Sequence, residues 1–189
     1  MDFQKKIEKL LLSTGVEGMD GLCEYMRGDL GFYKAPCSGG NHMAKEGGLA
    51  EHSLNVYYCA KEICEALMGT EAYKSMENDI IICSLLHDLG KCGDFGKANY
   101  IPNVLKSGEV SKAKPFQTNG DLLYIDHEIR SVKLCAMFID LTEQQEFAIL
   151  YHNGLYGPLK YSLQGKETPL YMIIHWADMW ASRVVEKEG

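Results

Sequence analysis

The stretch LLHDLGK, residues 85–91, sets His87 beside Asp88 at the end of an apolar run. Five more histidines, His42, His52, His127, His152 and His175, are spread along the chain, and Asp178 lies in the apolar segment MIIHWADMWAS. Imidazole nitrogens and carboxylate oxygens without thiolate suit iron, manganese, cobalt, nickel, zinc or magnesium, not a closed zinc–thiolate site. Each residue alone has a plainer reading. His52 fits a hydrogen-bonded histidine on a half-buried helix, His127 and His152 fit a helix start and a helix end, and an adjacent His-Asp pair arises easily by chance. Jointly they are harder to set aside. His52 shares a helical stripe with Leu49, Val56, Cys59, Ile63 and Leu67, so it points inward. Asp178 is flanked by Ile173, Ile174, Trp176, Ala177, Met179 and Trp180, where a carboxylate is costly unless paired, hydrogen-bonded or metal-bound. Histidine and aspartate at inward positions of several helices are how a bundle builds a metal site.

The elements that must position these groups are mostly helices. FQKKIEKLLL puts Phe3, Ile7, Leu10 and Leu11 on one face, with Gly15 beyond the end. GMDGLCEYMRG predicts a shorter helix, and the glycine-rich GFYKAPCSGGNHMAKEGG an irregular connection. A strong helix is expected from Leu49 to about Met68, and a very apolar central one over 79–90 with Gly90 at its C-terminal end. YIPNVLKSGEVSKAKPFQTNGDLLYID predicts a small β-hairpin at about 99–118. Helices resume near Asp126. Thr142 with Gln145 forms a capping box, NGLYGPLKYSLQGKE reads as a loop, and Thr168 with Pro169 opens a long last helix. The expected fold class is all-α, one domain over 1–189 with its core at about 30–183.

Composition bounds the function. The 189 residues are 46% hydrophobic and 24% charged, ordinary for a globular domain, and no apolar run reaches membrane-spanning length. The N-terminal segment reads as an amphipathic helix and not a signal peptide, which predicts a cytoplasmic protein. Seven cysteines without a C-x-x-C pair, among them Cys59, Cys64, Cys83 and Cys135 in helical patterns, predict buried thiols rather than a disulfide framework. A net charge of -7 with scattered lysines argues against avid binding of extended nucleic acid, and the lack of a spanning apolar run argues against a membrane partner. A small anionic ligand held at a metal fits that balance, and the five lysines between Lys91 and Lys114 read as an anion funnel or a solvated loop.

His52, His87-Asp88, His127, His152 and Asp178 in this order resemble the ligand series of the HD-domain superfamily of metal-dependent phosphohydrolases. APCSGGNHMAKEGGLAEHSLNV is similar to the segment that leads into the first histidine of bacterial and phage HD proteins, and of the HD domain in a bacterial 3′-to-5′ exoribonuclease. LLHDLGK resembles the metal motif, DHEIRS the third histidine motif, YHNG the fourth and HWADMWAS the closing aspartate helix. The exoribonuclease's nucleic-acid-binding domain has no counterpart in these residues, so its activity does not carry over. The resemblance implies a helical bundle in which His52, His87, Asp88 and Asp178 are the core ligands. It makes His127 and His152 the extra pair of two-metal members and Asp88 the bridging carboxylate. With all six positions filled, a binuclear site is expected over a mononuclear one.

The expected function is hydrolysis of a nucleotide or another small phosphate ester. Two cations roughly 3.5–4 Å apart activate a shared hydroxide and stabilise developing phosphoryl charge. Lys91, paired with Asp88 in the catalytic set, is either a phosphate contact or a helix-end lysine in water. Arg130 and Arg183 are read as phosphate contacts or surface arginines. His42, in the glycine-rich loop, is expected near the substrate or behind the ligands. His175, three residues before Asp178, either orients a ligand or is a satisfied core histidine. Two other functions stay open: a di-iron oxygenase of a small organic substrate using the same ligand set, and a noncatalytic metal- or nucleotide-binding regulatory module.

Overall fold

The computed structural model describes residues 3–157 and 160–187, so Pro158 and Leu159 of the expected 153–167 loop lie outside it. Helix α1, Phe3–Ser13, buries Ile7 and Leu11 on its apolar face. Helix α2, Met19–Arg27, buries Met19, Leu22, Cys23 and Met26. Helices α3, Gly48–Met68, and α4, Thr70–Leu86, are separated by Gly69 alone and pack along each other. Helix α5 is His127–Ala136, α6 Glu143–Tyr151, the short α7 Lys160–Leu163 and α8 Pro169–Trp180. Helix α8 lies against α3, α4 and α6, and α1 covers α3 and α4. The expected caps are present: Thr142 and Gln145 bond reciprocally, and Thr168 accepts from the Tyr171 amide ahead of Pro169.

The expected hairpin forms. β3, Tyr100–Pro102, pairs antiparallel with β4, Phe116–Thr118, with Ile101 opposite Gln117. Ahead of it, β1, Gly93–Asp94, and β2, Lys97–Ala98, make a second tight hairpin that no run of alternating residues announces. Asp94 anchors this hairpin to α5. It accepts from Arg130 at 3.0 Å and from Lys133, while Arg130 also donates to the Leu123 carbonyl at 3.1 Å. Arg130 is therefore buried, neither a surface residue nor one aimed at a ligand.

Three departures have physical causes. Helix α4 starts at Thr70 and not at 79, because in TEAYKSMEN only Tyr73 and Met76 turn inward and no apolar period marks the helix. Leu67, expected on the buried stripe, is 64% exposed, because it lies one residue before the α3 C-terminus in an open surface groove with Trp176 and Trp180. And α4 ends at Leu86, with Leu89–Cys92 continuing as a 3-10 turn, so Gly90 is no helix stop. A Cβ on Gly90 would meet the His127 carbonyl at 2.2 Å and the Ser131 nitrogen at 2.9 Å. The glycine is there so that the start of α5 can lie directly on the turn, an approach sealed by the Gly90 amide donating to Ser131 Oγ at 2.8 Å.

Gly90→Ala is accordingly expected to destabilise the protein by about 3 kcal/mol, the upper range for overpacking. Gly120→Ala, whose Cβ would meet nothing within 4 Å, should change stability by less than about 0.5 kcal/mol. Urea unfolding followed by circular dichroism measures both.

Candidate metal centre

Four helices or their ends each aim one imidazole at one carboxylate. His52 comes from the second turn of α3, His87 and Asp88 from just past the end of α4, His127 from the first position of α5, and His152 from just past α6. The inner faces of these elements are closed by Leu85, Leu86 and Leu89, all without solvent exposure. What fixes the rings is the partner of each Nδ1. His87 Nδ1 lies 2.9 Å from the Ser84 carbonyl and His152 Nδ1 lies 2.8 Å from that of Ile149. A carbonyl only accepts, so both Nδ1 atoms carry a proton, and each ring when neutral presents a bare Nε2. His52 Nδ1 sits 2.9 and 3.1 Å from the two oxygens of Glu186, and His127 Nδ1 lies 3.3 Å from Glu128 Oε2. Asn153 donates to Glu128 at 2.6 Å, holding that carboxylate in place.

All four Nε2 atoms then converge on Asp88. Its Oδ1 lies 3.1 Å from His127 and 3.5 Å from His152, and its Oδ2 lies 3.3 Å from His87 and 3.5 Å from His52. Asp178 Oδ1 reaches His52 Nε2 at 3.2 Å, and Asp178 also groups with His87 and His152. His52 Nε2, His87 Nε2 and Asp88 Oδ1 are buried without a hydrogen bond of acceptable geometry among the described residues. Bare nitrogens facing a carboxylate are lone pairs facing lone pairs, stable only with a proton or a cation between them. Ligand bonds of about 2.1 Å to one ion bring neighbouring donors to roughly 3 Å, which matches the spacing here. The donors therefore fit a metal, and they divide into one set around each Asp88 oxygen: His52 and His87 with Asp88, and His127 and His152 with Asp88.

The electrostatics agree. Burial works to raise the Asp88 carboxyl, but Lys91 and His87, with His127 and His152, hold it well below the ordinary carboxylate range. Burial likewise opposes the charge on Asp178, and His52, His87 and His152 overcome it. Burial alone would lower His52, yet Cys37, Asp178 and Glu186 raise it well above the usual histidine value. His87, by contrast, is lowered, with burial the dominant cause. Lys91 Nζ is 2.6 Å from Asp88 Oδ2, and that pairing, with Cys37 and Asp178, outweighs burial and keeps the ammonium charged. Its side chain is only 16% exposed, so it is no helix-end lysine in water.

The remaining candidates separate. His42 stands beside the cluster, its ring 5.0 Å from that of His52 and its Nε2 3.4 Å from Cys37 Sγ. Its loop is pressed on the hairpin, since the Phe116 amide donates to the Gly39 carbonyl and a Cβ on Gly40 would meet Lys114 at 2.9 Å. A cleft of about 840 Å3 lined by Asn41, His42, Asn55, Lys112, Ser182 and Glu186 leads to this side. His175 donates from Nδ1 to the His152 carbonyl at 2.7 Å and stacks on Tyr171, behind the cluster. Arg183 is exposed and lies over the Tyr156 ring. Glu186, Glu128, Asn153 and Cys37 were not expected at the site. Glu128 and Asn153 adjoin the motif histidines in sequence, which was a usable signal, whereas nothing local marks Glu186. All seven cysteines are buried and free, as their spacing suggested, and burial raises the Cys37 thiol to about 11.

The pKa directions predict a two-sided stability profile for protein stripped with chelator. Asp88 and Asp178 are lowered in the folded state, so their contribution is complete above the unfolded value of about 4 and is lost as pH falls through the folded values. His52 is raised, so its contribution is complete below about 6.5 and is lost as pH rises through its folded value. Thermal melts from pH 3 to 10 should show a melting temperature that falls on both sides of the acid-to-neutral range. Asp178→Asn should flatten both limbs.

Comparison with curated proteins and with solved structures gives no match. The family comparison does: the profile described as the HD domain matches residues 49–179, which takes in His52, His87, Asp88, His127, His152 and Asp178. Nothing in that match singles out an exoribonuclease. No helix among the described residues is long and apolar enough to cross a membrane. With that match over more than half of its length, and with the buried His/Asp cluster at its centre, this chain belongs to the HD-domain family, most of whose members are metal-dependent hydrolases.

Proposed function

We propose that this protein hydrolyses a nucleotide or another small phosphate ester at a binuclear metal centre held by His52, His87, Asp88, His127, His152 and Asp178. The observation that carries the reading is the shared orientation of the four imidazoles. Nδ1 is committed to an oxygen in each, and Nε2 is directed at an Asp88 carboxylate whose Oδ1 is otherwise unpartnered. Ions held there would lower the pKa of water to near neutrality and stabilise charge on a phosphoryl oxygen.

The protein's own groups do the rest. Asp88 offers one oxygen to each donor set and so bridges them. Lys91 keeps a fixed positive charge beside it, where it neutralises the carboxylate and faces an incoming phosphate. Of the six donors, His127 and Asp178 are the most exposed, with 27% and 17% of their side chains open, so the substrate arrives on that side. The leucine wall behind the centre excludes water from the other.

Metal analysis of purified protein tests the centre: two ions per chain are expected, none in Asp88→Ala, and one in His127→Ala/His152→Ala. Turnover of a panel of nucleotides and model mono- and diesters with several metals tests the reaction. Loaded protein inert toward every substrate with every metal rules the reading out. Iron content coupled to oxygen consumption would instead assign the centre to an oxygenase. Lys91→Met should keep its metal and lose about 100-fold in kcat, the usual effect of removing one charge-stabilising donor.

A further inference from the structure

Glu186 lies outside the matched residues 49–179, and nothing in the ligand set gives it a task. It reaches the centre through an irregularity. Helix α8 does not stop at Trp180 but widens into a π turn over Ala181–Val185, closed by the Glu186 amide donating to the Ala181 carbonyl at 2.9 Å. In an unbroken α-helix Glu186, eight positions past Asp178, would point about 80° round the axis from it. The extra residue of a wide turn rotates it back by one position, to roughly 20° from the Asp178 direction. Such turns concentrate at functional sites.

The result is one imidazole gripped at both nitrogens by one stretch of chain. Asp178 Oδ1 is 3.2 Å from His52 Nε2, and the Glu186 oxygens are 2.9 and 3.1 Å from His52 Nδ1. Glu186 is 7% exposed and is steadied by Asn55, whose amide donates to Oε1 at 3.0 Å. His87 and His152 each use the carbonyl three residues before them in the same way, whereas His52 and His127 face carboxylates, and the contact of His52 is the closer, at 2.9 Å against 3.3 Å from His127 Nδ1 to Glu128. A charge-assisted bond fixes a ring more firmly than a neutral one and makes its other nitrogen a better donor to a metal.

We infer that Glu186 is a positioning residue. It accepts the Nδ1 proton of His52, locks the tautomer and ring orientation that leave Nε2 bare, and tightens the hold on the ion on the Asp178 side. The inference rests on the metal-centre reading above.

Two readouts test it in full-length protein, with Mn2+ as the probe. Long-range nitrogen–proton spectra, with the His52 signals assigned by their loss in His52→Ala and recorded above the pH at which stripped His52 gives up its second proton, should show a single Nδ1–H tautomer in chelator-stripped wild type. They should show a mixture of tautomers in Glu186→Ala. Chelator competition should show one of the two ions bound about 10- to 100-fold more weakly in Glu186→Ala. Glu186→Gln, which still accepts but carries no charge, should keep the tautomer and weaken that ion less. A folded Glu186→Ala with wild-type tautomer and wild-type affinity for both ions overturns the inference and leaves the metal centre standing. Wild type that binds no ion overturns both. Should Glu186→Ala not fold, Glu186→Gln decides alone: unchanged affinity overturns the inference, and weaker binding of one ion supports it.

Discussion

One buried carboxylate organises this molecule. Asp88 is fully enclosed, and without counter-charge its burial would be prohibitive. Every element near it contributes something that makes the charge tolerable: an ammonium from the following turn and an imidazole from each of α3, α4, α5 and the end of α6. The helices are thus constrained by more than apolar packing. They must meet with their polar tips in register, which explains the tight seat of α5 on the turn at Gly90 and the carbonyl-anchored rings.

Much of this is legible in the chain. The 3.6-residue stripe on α3 turns His52 inward, and the apolar company of Asp178 announces a paired carboxylate, both from local pattern alone. The caps at Thr142 and Thr168 are equally local, because capping is a matter of three or four consecutive residues. Family resemblance supplied the joint order of the ligands, which no single segment contains.

What could not be read depends on approach between distant segments or on broken periodicity. Gly90 has the look of a helix stop, and only the His127 carbonyl 2.2 Å from its missing Cβ reveals a steric role. Arg130 looks like a surface cation until the Asp94 hairpin folds over it. The first half of α4 is polar and carries no hydrophobic period. Glu186 is hidden twice, by a sequence separation of 134 residues from His52 and by a wide turn that shifts its face.

That last separation has a kinetic meaning. Helix α8 and its turn supply both carboxylates that grip His52, and they are the last elements of the described chain. Helix α8 buries Leu170, Tyr171, Ile173, Ile174 and Ala177, whereas in the turn after it only Ala181 is buried, so the turn that carries Glu186 would loosen from His52 more readily than the helix that carries Asp178. Partial openings of this kind need far less free energy than global unfolding. On the proposed reading, the hold on an ion beside His52 would then respond to local opening of that turn and not to unfolding of the bundle.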